Sequence, residues 1–256
     1  MNRWREFVLV IALFAALIAF TIYGPGRSTT DDGERGSTYS QGDEGALGLQ
    51  RWLETLGYTT ERLQYTDWVI PDRAAVLFII APTQRPIVES EAEEILRWVR
   101  DGGTLIAVDE RPQLALASNA LWRILNVTTT FSDTADFIED ERALPTQPVL
   151  FEPPVTSVQV DTSAVLTPDE PGYVPVLQTQ YGPTLLGRQE GRGYMYLSAA
   201  AHPFTNTGLR EPGSGALVLN LIARVPRGAT ILFDEVHHGF GDANGATNRS
   251  LRQIAL

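Results

Sequence analysis

Two continuous apolar segments, with an amphipathic segment between them, constrain the fold most. Residues 74–81 read AAVLFIIA and residues 104–108 read TLIAV, without the polar alternation of a half-exposed strand. Such runs are typical of parallel strands that are covered on both faces. Between them a helix is predicted: Ser90 and Glu93 would cap it, the apolar residues of 92–99 recur at helical spacing, and Gly102-Gly103 would end it. The sequence therefore predicts a strand–helix–strand unit in a parallel sheet.

The same alternation continues on both sides of this unit. Helices are predicted from a Ser40 cap to Gly57 and over residues 114–125 and 214–223. Further strands are predicted over 59–65, 173–179, 183–188, 193–199 and 230–234. We expect 173–179 and 183–188 to pair as a hairpin around Tyr181-Gly182. The fold class is thus α/β, a parallel sheet with helices on both faces.

A second apolar feature lies at the N-terminus. Residues 7–22, FVLVIALFAALIAFTI, are flanked by Trp4 and Tyr23, and Arg3 and Arg5 precede them. This length, with aromatic ends and basic residues before it, predicts a transmembrane helix with a cytoplasmic N-terminus. A cleaved signal peptide is the competing interpretation, although residues 21–25 fit a small-residue cleavage site poorly.

These segments predict four regions. Residues 1–23 are a membrane anchor and 24–38, rich in Gly, Ser, Thr and Asp, are a flexible linker. Residues 39–240 are the α/β domain, in which the acidic, proline-rich stretch 126–172 is interpreted as a variable insertion. Residues 241–256 form a C-terminal tail. The predicted location is the cell membrane, with a single span and the α/β domain outside the cytoplasm.

Composition excludes several kinds of chemistry. The chain has no Cys and no Lys, so it contains no thiol nucleophile, Cys-ligated metal or Schiff-base lysine. The net charge is −11, from 20 basic residues, all Arg, against 31 acidic ones. Since residues 1–23 carry +1, the exported part carries −12. Such acidity argues against nucleic acid as a partner.

The candidate site residues follow predicted strands. In open parallel sheets, ligands bind beyond the carboxyl ends of the strands. Asp109 follows the strand 104–108, His202 follows 193–199, and the segment DEVHHG follows 230–233. On an extended backbone Asp234 and His238 would point to one side of the chain, and Glu235 and His237 to the other. One side would then offer a carboxylate and an imidazole together.

Three interpretations of this cluster remain open. The plainest is a hydrogen-bonded network that anchors a loop. The second is a binding site. The third is catalysis, either by an acid–base pair or by a divalent metal held by His202, Asp234, His237 and His238. The spacing D-E-x-H-H matches no metal motif with a known mechanism, unlike H-E-x-x-H.

A second polar cluster lies around residues 198–220. Its members are Ser198, Thr205, Asn206, Arg210 and Asn220. Short polar side chains after a strand normally shape turns, and the alternative is a polar lining for a small ligand. Four aromatic side chains would suit stacking on sugars, although core or edge positions are the commoner use; they are Trp68, Tyr173, Tyr181 and Tyr194.

Several of these segments together resemble one bacterial family. They are residues 37–58, VRDGGTLIAVDE, GRQEGRGYMYLSAAAHPFTNTGL with Asn220, and ILFDEVHHGF. The sequence resembles the membrane-anchored domain-of-unknown-function family numbered forty-three fifty. The resemblance implies a flavodoxin-like domain similar to class I glutamine amidotransferases but without their catalytic Cys. It also implies a partner that is an envelope protein or a system associated with a MoxR-type ATPase. Many members carry a second membrane helix, toward which the tail 241–256 would lead.

The expected function is therefore non-catalytic. We expect an exported, membrane-anchored binding or scaffold module of a cell-envelope system, with no cofactor. The alternative is a metal-dependent hydrolase that uses Asp234, Glu235, His237, His238 and His202. The resemblance brings no established activity with it.

Overall fold

The computed structural model describes residues 34–64, 68–82, 84–110, 120–131, 138–147 and 152–241. The predicted anchor, most of the linker and the tail 242–256 lie outside these residues. Within them, no helix combines the length and the apolar character that crossing a bilayer requires.

The described residues form a mixed α/β domain. Its strands are β1 (Thr59–Leu63), β2 (Ala74–Ile80), β3 (Thr104–Val108), β4 (Val127–Phe131), β5 (Arg142–Pro145), β6 (Val158–Gln159), β7 (Ala164–Pro168), β8 (Val174–Gln178), β9 (Pro183–Glu190), β10 (Gly193–Ser198) and β11 (Thr230–Asp234). Its α-helices are α1 (Leu47–Thr55), α2 (Glu89–Arg100), α3 (Ala120–Ile124) and α4 (Pro212–Leu221). Shorter helical turns span His202–Phe204, Gly208–Arg210 and Val236–Phe240.

Nine of the described strands form one sheet, in the order β1-β11-β2-β3-β10-β9-β8-β5-β6. The pairs from β1 to β10 are parallel, and those from β10 to β6 are antiparallel. The α/β class is confirmed, but the prediction of a purely parallel sheet holds for only half of it. The remainder is antiparallel because β8, β9 and β10 follow one another through short turns, which cannot join parallel neighbours. The predicted hairpin of β8 and β9 is confirmed.

The parallel strands end level with one another. Ile80 pairs with Val108 and Val108 with Ser198, while Leu63 at the end of β1 pairs with Asp234. We call this border the carboxyl edge. The polar residues that follow these five strands are consequently brought to one side of the domain.

Side chains of β2 alternate between two cores. Val76, Phe78 and Ile80 pack with α1 and α4, whereas Leu77 and Ile79 pack with α2 and α3. Helices thus cover both faces of the parallel half, as predicted. The segment predicted as a variable insertion contributes β5 and β6 to the sheet, and β4 pairs with β7 in a separate two-stranded sheet.

Two predicted helix starts are wrong. Helix α1 begins at Leu47 rather than after Ser40, because residues 40–45 form turns in which Ala46 N–H donates to Ser37 O. Helix α2 is not capped by Ser90; the Glu91 carboxylate accepts a hydrogen bond from Val88 N–H instead. The described part of the predicted helix 114–125 is α3, and residues 114–119 lie outside the described ranges.

Candidate functional site

The cluster after β11 lies at the carboxyl edge and is closed to solvent. Asp234, Glu235, His237 and His238 are each at most 3% exposed. Beyond Asp234 the chain turns at once into the helical turn Val236–Phe240. Asp234 therefore faces His237, three residues on, rather than His238. The expected strand-like alternation of these side chains is wrong because helical spacing places residues i and i+3 on one side.

His237 lies between two carboxylates. Its Nδ1 is 2.5 Å from Asp234 Oδ2, and its Nε2 is 3.1 Å from Glu91 Oε2. The other carboxylate oxygen of Glu91, Oε1, is paired with the guanidinium of Arg85. The ring edge also contacts Trp68, with 4.7 Å between centroids. Both imidazole nitrogens are thus engaged, and a buried chain of charges joins β11 to α2.

The charges in this chain set the protonation of His237. Burial alone would lower the pKa of the imidazole, but the carboxylates of Asp234 and Glu91 overcome that effect and raise the pKa to about 9. Burial would likewise raise the pKa of Glu91, but the bonds from His237 and Val88 N–H and the charge of Arg85 lower it. At neutral pH the cluster holds an imidazolium between carboxylates, which is a poor metal ligand and a poor general base.

Glu235 holds the N-terminal segment, which we define as residues 34–46. Its carboxylate accepts hydrogen bonds from Ser37 Oγ, Thr38 N–H and Thr38 Oγ1, all at 2.6 Å. Burial raises the pKa of Glu235, although His238 and these donors act in the opposite direction. For His238, burial lowers the pKa, but Glu34, whose Oε1 is 3.7 Å from Nδ1, and Glu235 raise it overall.

Asn206 holds the other half of the N-terminal segment. Its Nδ2 donates to Ser40 O at 3.1 Å and to Gly42 O at 2.6 Å, and its Oδ1 accepts from Gly48 N–H at 2.6 Å. Gly36 lies so close to β2 that an added Cβ would stand 2.1 Å from Ile80 O. The N-terminal segment therefore lies tightly over the carboxyl edge, above the predicted site.

The remaining candidate residues are not assembled around His237. His202 Nδ1 pairs with Asp161 Oδ2 at 3.0 Å. Ser198 Oγ donates to Ala200 O, and Thr205 Oγ1 donates to His202 O, so both shape the turn after β10. Asp109 is buried at the end of β3, and its N–H donates to Ser198 O.

His202 lines a small acidic cavity instead. This cavity of about 180 Å³ is lined by Arg35, Asp43, Glu44, Glu110, Asp161, His202, Thr205 and Thr207. Arg35 bridges Glu44 and Glu110 across it. In the part of the chain that the structure describes, no group of three or more His, Asp or Glu side chains could hold a metal ion. The four predicted metal ligands are therefore divided between two places.

Of the four aromatic candidates, Tyr194 lines an open groove. That groove, of about 680 Å³, lies along β8, β9 and β10 beside the end of α4. Trp68 contacts His237, and the Tyr173 hydroxyl donates to Leu125 O. Tyr181 lies in the β8–β9 turn, outside the groove.

Sequence reasoning missed four partners of the cluster, namely Glu34, Ser37, Thr38 and Glu91. Ser37 and Thr38 lie in the segment 24–38, which the sequence predicts to be a flexible linker. Glu91 carried one signal, since it lies beside Ala92 on the face of α2 that also buries Ile95. A carboxylate on a buried helix face requires a partner, and that partner is His237.

Comparison with solved structures finds similarity at low sequence identity. The mmIFT52 N-terminal domain is 13% identical, with a TM-score of 0.50, and the match covers 68% of this chain and 86% of that domain. Beta-galactosidase from Bacillus circulans sp. alkalophilus is 14% identical, with a TM-score of 0.40 over 60% of this chain. The chain spans only 23% of that galactosidase.

A cytoplasmic protein from Salmonella typhimurium is 14% identical, with a TM-score of 0.41 over 62% of this chain and 77% of that one. No curated protein sequence matches the chain. The family model of a domain of unknown function, DUF4350, matches residues 38–222, from the N-terminal segment into the turn after α4. This match covers well over half of the chain, which therefore belongs to the bacterial family DUF4350.

Proposed function

We propose that the chain is a non-catalytic binding or scaffold domain of the bacterial cell envelope, anchored to the membrane by residues 7–23. One observation carries the proposal: the side chains best suited to chemistry are buried and engaged with one another. His237 uses both ring nitrogens on carboxylates, and Glu235 accepts three hydrogen bonds from the N-terminal segment. A substrate would have to displace that segment to reach them.

The absence of a nucleophile supports the same proposal. We infer a flavodoxin-like domain related to class I glutamine amidotransferases, whose reaction requires a Cys at the end of a strand. The chain contains no Cys. At the ends of β3 and β10 it has Asp109 and Ser198, and the Ser198 hydroxyl is bonded to Ala200 O within its own turn. Nothing in this arrangement activates a hydroxyl as a nucleophile.

The metal-dependent hydrolase is the weaker candidate, because no contact in the described part of the chain brings its predicted metal ligands together. A catalytic zinc site needs about three protein ligands with an open position beside them. His202 pairs with Asp161, apart from the buried pair Asp234 and His237.

An assay for hydrolysis tests the proposal. The full-length chain in detergent is incubated with generic ester, amide and phosphoester substrates, with and without divalent cations. We expect no turnover above buffer. Turnover that disappears in His237→Gln or His238→Gln, in samples shown to be folded by circular dichroism, would refute the non-catalytic function.

Topology is a separate part of the proposal. The +1 anchor and the −12 remainder support export of the α/β domain. Alkaline phosphatase fused to the C-terminus should be active if the domain is exported. An active cytoplasmic reporter at the same position would contradict the topology.

A protein partner in the envelope, such as a system associated with a MoxR-type ATPase, belongs to the same proposal. The acidic exported domain favours a partner with a basic face. Crosslinking in intact cells, with the anchor present, is the corresponding test. Recovery of cytoplasmic proteins alone would contradict it.

A further inference from the structure

One groove of the domain lies away from the carboxyl edge and has its own chemistry. We call it the aromatic groove. It is lined by Gln147, Gly172, Val174, Val176, Gly187, Arg188, Gln189, Tyr194, Tyr196, Asn220, Leu221, Ala223 and Arg224. Its volume of about 680 Å³ is typical of a pocket for a small molecule or a short segment of polymer.

The groove lies where the end of helix α4 meets the sheet. Helix α4 ends at Leu221, and the residues around this end line the groove together with residues of β8, β9 and β10. Tyr194 and Tyr196 alternate with buried residues on β10, so their rings stand on the same face, about 7 Å apart along the strand. Gly187 of β9 pairs with Tyr196 of β10, and a Cβ added at Gly187 would approach Val176 to 3.0 Å. The missing side chain at Gly187 therefore leaves space at the bottom of the groove.

Arg224 contacts two tyrosines of the groove and is well placed to bind an anionic ligand. Its guanidinium lies over the ring of Tyr194, 4.2 Å from the centroid, and Nη1 is 3.5 Å from Tyr196 Oη. Among the described residues, no carboxylate pairs with it. Stacking on an aromatic ring leaves the N–H groups at the edge of a guanidinium free for bidentate bonds to an anion.

The lining charge contrasts with the charge of the whole protein. The chain has net charge −11, yet the described residues that line the groove include two Arg and no Asp or Glu. Arg188 is neutralised by Glu170 and Glu190, which leaves Arg224 as the available cation. An acidic protein that keeps carboxylates out of one groove is complementary there to an anionic ligand.

We propose that the aromatic groove binds an acidic glycan, with sugar rings against Tyr194 and Tyr196 and the acidic substituent at Arg224. This inference rests on the proposed binding function and names its ligand class. The neutral parts of the lining are suited to a sugar. The aromatic rings can pack against the apolar faces of sugar rings, and the amide groups of Gln147 and Gln189 can form hydrogen bonds with sugar hydroxyls.

Isothermal titration calorimetry tests the proposal on the full-length chain, in a detergent without a sugar headgroup. The probes are short mannuronate oligomers, the matched neutral mannose oligomers and inorganic phosphate. We expect the mannuronate oligomers to bind at least about tenfold more tightly than the neutral ones, since a charge-assisted bond is lost. Phosphate alone should bind weakly, because it makes no ring contact.

Variants identify the groove as the site. Arg224→Leu and Tyr194→Ala should each weaken binding about tenfold or more. Matched controls are Arg227→Leu, an exposed Arg in the same loop, and Tyr181→Ala, a Tyr outside the groove; both should bind like the parent chain. Ala223→Trp adds bulk at an exposed lining position and should block binding without disturbing the core.

Three results would overturn the proposal. They are absence of mannuronate binding, equal binding of the neutral oligomers, and full binding by the folded Ala223→Trp chain. None of them bears on hydrolysis at the carboxyl edge. Conversely, turnover lost in His237→Gln would refute the non-catalytic function and leave the groove result standing.

Discussion

The Nδ1 atom of His237 lies 2.5 Å from Oδ2 of Asp234, where β11 passes into the helical turn Val236–Phe240. The opposite nitrogen of the same ring reaches Glu91 on α2. The backbone O of His237 also accepts bonds from the N–H groups of Gln84 and Arg85. One histidine thus joins a strand end, a loop and a helix that are distant in sequence. These contacts of His237 affect the stability of the protein first of all.

Replacing His237 by Ala should destabilise the protein strongly. The change leaves Asp234 and Glu91 buried without their shared cation, which costs about 3–5 kcal/mol in comparable buried pairs. The free energy of unfolding in urea measures the effect. Arg73→Ala is the control, because Arg73 and Glu61 form an exposed, solvent-screened pair whose loss should change stability little. Equal losses in both variants would contradict the structural role of His237.

The same cluster predicts how stability changes with pH. The pKa of His237 is about 9 in the folded chain and near 6.5 when unfolded, because Asp234 and Glu91 favour the imidazolium. A pKa raised by folding adds stability that is complete below pH 6.5 and is lost as pH rises through 9. The free energy of unfolding should therefore fall by roughly 3 kcal/mol across this range.

His237→Gln isolates that effect. The raised pKa of His238 acts in the same direction and remains in the variant, so the slope should be reduced rather than abolished. Urea titrations at constant ionic strength between pH 6 and pH 9.5 provide the measurement. A parent chain whose stability is flat over this interval would show that His237 is neutral in the folded state.

Glu235 should hold the N-terminal segment in place. Glu235→Ala removes the acceptor for Ser37 Oγ, Thr38 N–H and Thr38 Oγ1, and should cost about 2 kcal/mol or more. Glu235→Gln retains an acceptor for Thr38 and gains a donor for Ser37, so it should restore most of the loss. Hydrogen exchange at the Thr38 amide gives the local readout. Unchanged protection in Glu235→Ala would show that other contacts suffice.

The sequence predicted the strands of the parallel half because burial on both faces leaves a continuous apolar run, as in β2 and β3. It also predicted that Asp109, Ser198 and Asp234 lie at strand ends. It could not predict the partners of the cluster. Glu91 and His237 are 146 residues apart, and their contact depends on how α2 packs on the sheet. The turn after Asp234, which decides its partner, has no distinctive spacing of its own.

Metal content distinguishes the structural cluster from a metal site. We expect elemental analysis of the purified chain to show no stoichiometric transition metal. The protonated ring of His237 already provides the positive charge between the carboxylates of Asp234 and Glu91. Added chelator should leave the free energy of unfolding unchanged within about 0.5 kcal/mol. One metal ion per chain, lost in His237→Gln or His202→Gln, would return the hydrolase to consideration.

Strand β10 approaches α2 closely at Gly193. Gly191 and Arg192 form the turn before β10, and a Cβ at Gly193 would lie 2.1 Å from Val99 O and 2.2 Å from Gly103 O. Gly193→Ala must therefore separate the strand from the helix, and should cost about 1–3 kcal/mol. Gly215→Ala is the matched control.

Gly215 lies inside α4, where an added Cβ meets only Trp52 at 3.6 Å, an ordinary contact. Because alanine favours the helix, Gly215→Ala should stabilise the chain by roughly 0.5–1 kcal/mol. The two substitutions add the same methyl group, so opposite signs in urea unfolding isolate the close approach at Gly193. Stabilisation in both variants would show that β10 can move away from α2 at no cost, and that the glycine serves only the turn.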